Sequence, residues 1–489
     1  MMFSTRKFIG LVTGVVLFFV VYLFTDLDPE RPLVSPALAV ALLMASWWIT
    51  EAIPLAVTAL LPLVLFPVLG IVPGRLIATS YMNHIIFVYV GGFMVALAME
   101  KWKLHKRIAL KIMTWVGLGP GRIVLGFMLA TAFLSMWISN TASTMMMLPI
   151  VLSIISQLEK NLSSKVIRKY ATGVLLGVAY ASSVGGMTTL VGSPTNLVYP
   201  QQMQALFPNI EVISFTEWMA FAAPISLVMF TLVFGVIYLL FVPKKKFSGM
   251  EENHFRKEYA SLGKASFEER MVLLLFFLLA FLWTFRTGIQ FDKFSIPGWG
   301  SLFKNSSYIN DAVPAIFIAI LLFVLPSSKR DGTRLMDWKT AQKLPWDIVL
   351  LFGGGFALAS GFQSSGLAVW LGEQLGWTSS LGTYAILLAI LILMVFLTEL
   401  TSNVASIQML LPVFAALALS SHTNPVLLMF PATLASSMAF MLPTATPPNA
   451  IVFGSHRIEI TSMVRTGLLL NILAILTILL LTFLQESKF

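Results

Sequence analysis

The chain contains no cysteine, so it has neither a disulfide framework nor thiol chemistry. It is also poor in charge. Only 11% of its 489 residues are Asp, Glu, Lys or Arg, against about 25% in a soluble domain. Its five histidines (His84, His105, His254, His422, His456) are scattered, which argues against a metal cluster. There is no Gly-Lys-Ser/Thr phosphate loop, which argues against an ATP-driven machine and against an organic nucleotide cofactor. A nucleophile–base constellation is missing too, so an enzyme is a poor reading. What remains is apolar: 57% of the residues are hydrophobic. No soluble core of this size needs so much apolar sequence, so the solvent must be a bilayer. The net charge of +10 resides in loops and not on one face, which disfavours nucleic acid as a partner.

Apolar runs long enough to span lie at about 8–25, 33–50, 53–72, 85–100, 170–190, 213–242, 271–287, 311–326, 347–363, 426–443 and 463–485. The first follows Arg6 and Lys7 and has no small-residue cleavage site, so it reads as a retained span. Two further segments, at about 121–158 and 379–420, are polar at their centres. They read as re-entrant hairpins, because non-helical backbone at membrane depth must be buried in protein or line a cavity. The expected fold is therefore all-α and polytopic, with about eleven transmembrane helices and two hairpins.

Those two segments are near-copies. Residues 133–149 read FLSMWISNTASTMMMLP and residues 396–412 read FLTELTSNVASIQMLLP, identical at 9 of 17 positions. The same offset of 263 pairs Gly91-Gly92-Phe93 with Gly354-Gly355-Phe356. Repeats of this kind build a transporter site at their shared interface. With a cytoplasmic N-terminus and both hairpins returning to their own side, 26 of the 32 Lys and Arg fall in cytoplasmic segments. Arg31, Arg75, Arg286, Lys293, Lys304 and Lys488 stay outside, as does the C-terminus. The two halves are then inverted. The basic segment that begins at Lys101 reads as a helix lying in the cytoplasmic interface. Its repeat counterpart near 366–375 has lost the positive charge.

At the first tip, Ser135 and Ser139 are four apart and share a helix face, with Asn140 where the helix breaks. A short turn of Ser, Asn and Thr can satisfy the freed backbone groups and start the next helix as an N-cap. Thr398, Ser402 and Asn403 repeat the pattern. These groups offer oxygens without formal charge, which suits a hard cation such as sodium. Each half also carries a proline-broken segment, with Gly192-Ser193-Pro194-Thr195-Asn196 aligned on Ala445-Thr446-Pro447-Pro448-Asn449. Freed carbonyls near Gly192 and Ala445 can face a cation, and the hydroxyls of Ser193 and Thr446 a substrate. A lone Ser-Asn in a membrane helix is more often a packing contact; two tips and two broken segments in inverted copies argue otherwise. Glu399 has Met136 as its counterpart and either acts directly or makes a structural hydrogen bond. Glu51 and Asp347 read as interface or capping groups at helix ends.

The Ser139-Asn140-Thr141 tip, the Thr50-Glu51-Ala52-Ile53-Pro54 stretch and the Thr446-Pro447-Pro448-Asn449 segment resemble the divalent anion/sodium symporter family, over nearly the whole chain. The resemblance implies a bacterial inner-membrane homodimer with an elevator-like motion. Residues 119–242 and 377–489 would then form the transport domain and residues 1–118 and 271–376 the scaffold, with a cytoplasmic linker at 243–270. It implies a first sodium site at Ser135, Ser139, Asn140 and Gly192, and a second at Thr398, Ser402, Asn403 and Ala445. Substrate contacts would be Asn140, Thr141, Ser193, Asn403, Val404 and Thr446. Many bacterial members carry threonine where this chain has Val404, which bears on substrate identity. The resulting expectation is import of a C4 dicarboxylate driven by at least two sodium ions. The alternatives are sodium-independent exchange, citrate or sulfate as substrate and, more remotely, an intramembrane enzyme or a channel.

Overall fold

The structure is a computed structural model. It describes residues 5–117, 119–159, 163–244, 254–290, 295–328 and 332–486. Residues 245–253 of the expected linker, Lys293 and Lys488 lie outside these residues.

The first third of the chain forms α1 (Thr5–Phe24), α2 (Val34–Thr50), α3 (Leu55–Thr58), α4 (Leu61–Val68), α5 (Gly74–Thr79), α6 (His84–Lys101) and α7 (Leu104–Val116). It continues through α8 (Pro120–Ser135), α9 (Asn140–Leu158), α10 (Ser164–Gly186), α11 (Pro194–Leu206) and α12 (Phe215–Phe241). After α13 (His254–Ser261) come α14 (Phe267–Thr284), α15 (Ala312–Val324), α16 (Trp338–Ala341), α17 (Trp346–Ser365) and α18 (Leu367–Gln374). The last elements are α19 (Thr383–Leu400), α20 (Asn403–Ser420), α21 (Pro425–Ala435), α22 (Pro447–Phe453) and α23 (Ile460–Gln485). A two-stranded ribbon pairs Ile289–Gln290 with Ser295–Ile296. Among the described residues, eight helical segments are long and apolar enough to cross a bilayer, and five shorter apolar helices accompany them.

The apolar run at 53–72 is not one helix. Pro54 is extended ahead of α3, and Pro62 sits in the first turn of α4. A proline lacks the amide that would continue the hydrogen-bond ladder, so the run becomes two short pieces. The run at 426–443 is also cut short: α21 ends at Ala435, and the chain stays non-helical until Pro447 opens α22. The remaining long runs form helices close to their expected limits.

Exposure separates the helices into two populations. Along α10 every residue from Tyr170 to Gly186 is buried, as is α21 from Leu427 to Ala435. In contrast, α1, α12, α14, α15 and α23 expose large side chains such as Phe24, Leu239, Phe281, Phe317 and Leu484. An apolar surface this extensive belongs against acyl chains, not water. The polar groups of α10 and α21 are therefore shielded from lipid by surrounding helices.

The repeated glycines mark close helix contacts. A Cβ on Gly91 would lie 2.6 Å from the Ala315 backbone, and one on Gly354 would lie 2.5 Å from the Ala59 carbonyl. Only glycine lets α6 approach α15, and α17 approach α3, this closely. Between these contacts the repeat mates Tyr89 and Phe352 meet edge to face, with ring centroids 5.4 Å apart.

Helix α7 is amphipathic. It buries Leu104, Ala109, Leu110 and Met113 and exposes Lys103, Lys106, Lys111 and Trp115. Its counterpart α18 has no basic residue. At the neighbouring end of α6, Lys101 pairs with Asp337 at 2.7 Å and holds that carboxyl down to about 2. Asp337 also caps α16 through the Thr340 amide.

Candidate binding site between the two hairpin tips

Each tip is a helix end, a short turn and a new helix. Helix α8 stops at Ser135, and Ser139 caps α9 by accepting the Ala142 amide at 3.2 Å. Helix α19 stops at Leu400, and Ser402 occupies the cap position of α20. The breaks thus fall before the expected position. Ser135 and Ser139 do not share a helix face, because α8 has already ended; Ser139 instead caps the next helix, as expected of the turn, and Asn140 opens it. At the first tip the reason is local: Ser139 satisfies an amide that α9 leaves without a partner.

The turn still brings the expected residues together. Ser135 Oγ lies 2.6 Å from Asn140 Oδ1 and 2.7 Å from the Ser182 carbonyl. At the second tip, Thr398 Oγ1 lies 2.6 Å from Asn403 Oδ1 and 2.8 Å from the Ser436 carbonyl. In each cluster one hydroxyl proton serves two acceptors. Three uncharged oxygens with one proton among them make an electron-rich nest that can coordinate a hard cation.

The broken segments complete both clusters. Helix α10 ends at Gly186 and α11 resumes at Pro194, while α21 ends at Ala435 and α22 resumes at Pro447. Asn196 Nδ2 staples the first loop by donating to the carbonyls of Gly186 (2.9 Å) and Thr189 (2.7 Å). Asn449 Nδ2 does the same for Ala439 (3.0 Å) and Leu442 (3.1 Å). A Cβ on Gly192 would lie 2.5 Å from the Gly186 carbonyl, 2.8 Å from that of Ser135 and 3.0 Å from that of Met136. Carbonyls from hairpin and broken helix therefore converge where only glycine fits. The two loops also meet: Thr195 Oγ1 is 3.0 Å from Ser437 Oγ, and Tyr180 donates to the Phe440 carbonyl at 2.8 Å.

Glu399 is buried beside the second tip. It accepts from the amides of Phe440 (2.7 Å), Met441 (2.8 Å) and Leu442 (3.0 Å), and from Asn471 Nδ2 (2.8 Å). It does not line the cavity between the tips. Of its two readings, the structural hydrogen bond is the one observed. Its counterpart Met136 serves through its backbone instead, accepting from Thr189 Oγ1 at 2.5 Å.

All six residues expected to contact substrate, Asn140, Thr141, Ser193, Asn403, Val404 and Thr446, line a single cavity of about 590 Å³. Ser139, Ser402 and Ala445 line it as well, whereas Ser135, Gly192 and Thr398 sit behind its wall. Among the described residues no Lys or Arg lines it. The N-terminal ends of α9, α11 and α20 reach it, and such ends carry partial positive charge. The opposite wall comes from Glu51, Leu55, Tyr89, Phe93, Pro345 and Ile348. Apart from Glu51, read as a capping group, and Phe93, which belongs to the repeated Gly-Gly-Phe, these residues gave no individual sequence signal. Nor did Gln201 and Gln202 of α11, which donate to the carbonyls of Phe352 and Gly355 on α17. Asn196 and Asn449 could have been found, because they occupy matching places in the aligned broken segments. Among the described residues no group of three or more His, Asp or Glu forms a metal cluster.

A family model described as "Sodium:sulfate symporter transmembrane region" matches residues 5–485. The chain belongs to this family of divalent anion:sodium symporters. It is 41% identical over 487 residues to the sodium-dependent dicarboxylate transporter SdcS of Staphylococcus saprophyticus, covering 98% of this chain and 92% of that one. It is 40% identical over 490 residues to SdcS of Staphylococcus aureus strain RF122, covering 98% and 91%. The fold is similar to the crystal structure of the YdaH transporter of Alcanivorax borkumensis, described as having an unusual topology. That match has a TM-score of 0.57 and 13% identity, and covers 99% of each chain. The protein is thus an integral membrane transporter of this family, all-helical in fold.

Proposed function

We propose that the protein imports a C4 dicarboxylate such as succinate, malate or fumarate, driven by at least two sodium ions moving down their gradient. The observation that carries this reading is the cavity that all six candidate substrate residues line without any Lys or Arg. A dianion at membrane depth needs positive charge. Here the compensation must come from bound sodium, helix ends and the amides of Asn140 and Asn403. One sodium would sit against Ser135, Ser139, Asn140 and Gly192, the other against Thr398, Ser402, Asn403 and Ala445. Ordering of the tips by sodium then raises affinity for the anion, a positive coupling between sites. The similarity to transporters named sodium-dependent dicarboxylate transporters supports both the substrate class and the coupling ion.

In this reading the hairpins α8–α9 and α19–α20 are re-entrant and enter from opposite sides, in an inverted repeat. Together with α10–α12 and α21–α23 they form a transport domain, which moves like an elevator against a scaffold of α1–α7 and α14–α18 in a homodimer. The N-terminus is cytoplasmic, the C-terminus is outside, and the membrane is the bacterial inner membrane. The bonds from Gln201 and Gln202 to α17 then cross the sliding boundary and must break in each cycle.

The test is uptake of radiolabelled succinate into proteoliposomes with an inward sodium gradient, against a matched potassium control. Sodium-dependent accumulation inhibited by other dicarboxylates is expected. Uptake that ignores sodium but needs internal dicarboxylate would instead identify an exchanger and remove the cation sites. A second substrate reading rests on Val404, whose side chain lines the cavity without a hydroxyl. Citrate or sulfate outcompeting succinate in the same assay would establish it.

A further inference from the structure

Among the described residues the cavity between the tips has one formally charged lining side chain, and its sign is the same as the substrate's. That residue is Glu51. It comes not from a hairpin or a broken helix but from the junction of α2 and α3. It is exposed, and among the described residues it makes no ion pair or side-chain hydrogen bond. Its backbone is left-handed, with φ 50° and ψ 41°, while its amide closes α2 on the Trp47 carbonyl. A non-glycine residue in this region is uncommon and directs attention to function. Asp311, which precedes α15 at another helix junction, is by contrast neutralised: it pairs with Arg286 at 2.5 Å and accepts the Phe215 amide at 2.9 Å.

The position of Glu51 gives it a side. Arg6, near the N-terminus, donates to the Ile49 carbonyl at 2.7 Å, two residues from Glu51. Pro345, the cap of α17, and Ile348 in its first turn line the same cavity, close in sequence to the basic residues Arg334, Lys339 and Lys343. Under the transport reading above, on which this inference rests, that side is cytoplasmic.

We propose that Glu51 is a specificity-determining residue of the release side. Its carboxylate repels a dicarboxylate dianion in the cavity's cytoplasmic mouth and attracts sodium there. Rebinding of internal substrate is therefore weak, and transport is biased inward. Because Glu51 belongs to the part of the molecule opposite the tips, the tips leave its field when they face the other side. Affinity at the outer face does not depend on it.

The experiment uses the full chain in right-side-out and everted membrane vesicles, with labelled succinate at fixed saturating sodium. Glu51→Gln should lower the succinate KM at the cytoplasmic face about five-fold at low ionic strength. The KM at the outer face should not change. Added choline chloride should shrink the difference between variant and wild type, since salt screens a charge–charge effect. Glu51→Gly, which keeps the left-handed backbone and removes the charge, should behave like Glu51→Gln, and Glu51→Asp should behave like the wild type. Equal KM values for Glu51→Gln and wild type at the cytoplasmic face would overturn the inference. So would an equal change at both faces, a change confined to the outer face, or a difference insensitive to choline chloride. Absence of sodium-dependent succinate uptake by the wild type would instead remove the transport reading, and this inference with it.

Discussion

The two hairpin tips share a backbone plan and differ in side-chain chemistry. In each, a hydroxyl (Ser135 or Thr398) sits within 2.6 Å of an asparagine oxygen (Asn140 or Asn403) and close to a carbonyl at the end of a broken helix (Ser182 or Ser436). Beyond that core they diverge. Ser139 caps its helix, whereas Ser402 makes no side-chain cap bond. Thr141 and its repeat mate Val404 both line the cavity, one with a hydroxyl and one without. Glu399 holds three consecutive amides beside the second tip, where the first tip uses the Met136 carbonyl. The oxygens suited to a cation are kept in both copies; the means of holding the loops and the groups facing the anion are not. A transported dicarboxylate has two ends, and an asymmetric pair of tips can treat them differently.

The comparison can be broken most directly at its shared core. Asn140→Ala and Asn403→Ala should each abolish uptake while the purified protein still elutes and unfolds as the wild type does. Near-normal transport by both would sink the assignment, and loss in only one would mean that the tips are not equivalent. Gly192→Ala pushes a methyl into three carbonyls within 3.0 Å, so sodium affinity should fall at least about ten-fold, because the carbonyls must separate. Ala445→Gly should have little effect, and sodium titration of uptake checks the pair. Glu399→Ala strands three amides and the Asn471 side chain, costing about 3 kcal/mol of stability; Glu399→Gln, which keeps an acceptor, should cost less in thermal unfolding. Val404→Thr would make the tips more alike and should shift selectivity between succinate and citrate by about 1–2 kcal/mol, read as competition in uptake. The smallest effect separates the caps. Ser139→Ala should lower stability by about 1 kcal/mol and Ser402→Ala by much less, because only the first loses a cap bond.

Much of the site was legible because duplication writes the same residues twice, at an offset of 263 for the tips and glycine pairs and of 253 for the broken segments. The Ser-Asn pairs, the Gly-Gly-Phe pairs and the proline-broken segments are recognised by matching, with no three-dimensional information. The exact position of each helix break was not. A Ser-Asn step can end one helix or cap the next, and Ser139 caps, because the free amide of Ala142 is within its reach. The role of Glu399 was equally hidden: a buried carboxylate in a membrane can bind cargo or hold backbone. The choice depends on whether Phe440, Met441 and Leu442, about forty positions away, present their amides to it.

Composition and the internal repeat by themselves determined a membrane protein, all-helical, with two polar interruptions in each half. They did so because a bilayer forbids unpaired backbone and long runs of charge, so any departure from apolar helix stands out along the chain. Tertiary structure alone decided which interruptions face one another, that Ser182 and Ser436 close the two oxygen clusters, and that Glu51 and Tyr89 form the opposite wall. Those choices depend on packing between segments far apart in sequence. Helix periodicity reports which face is polar and says nothing about which helix that face meets.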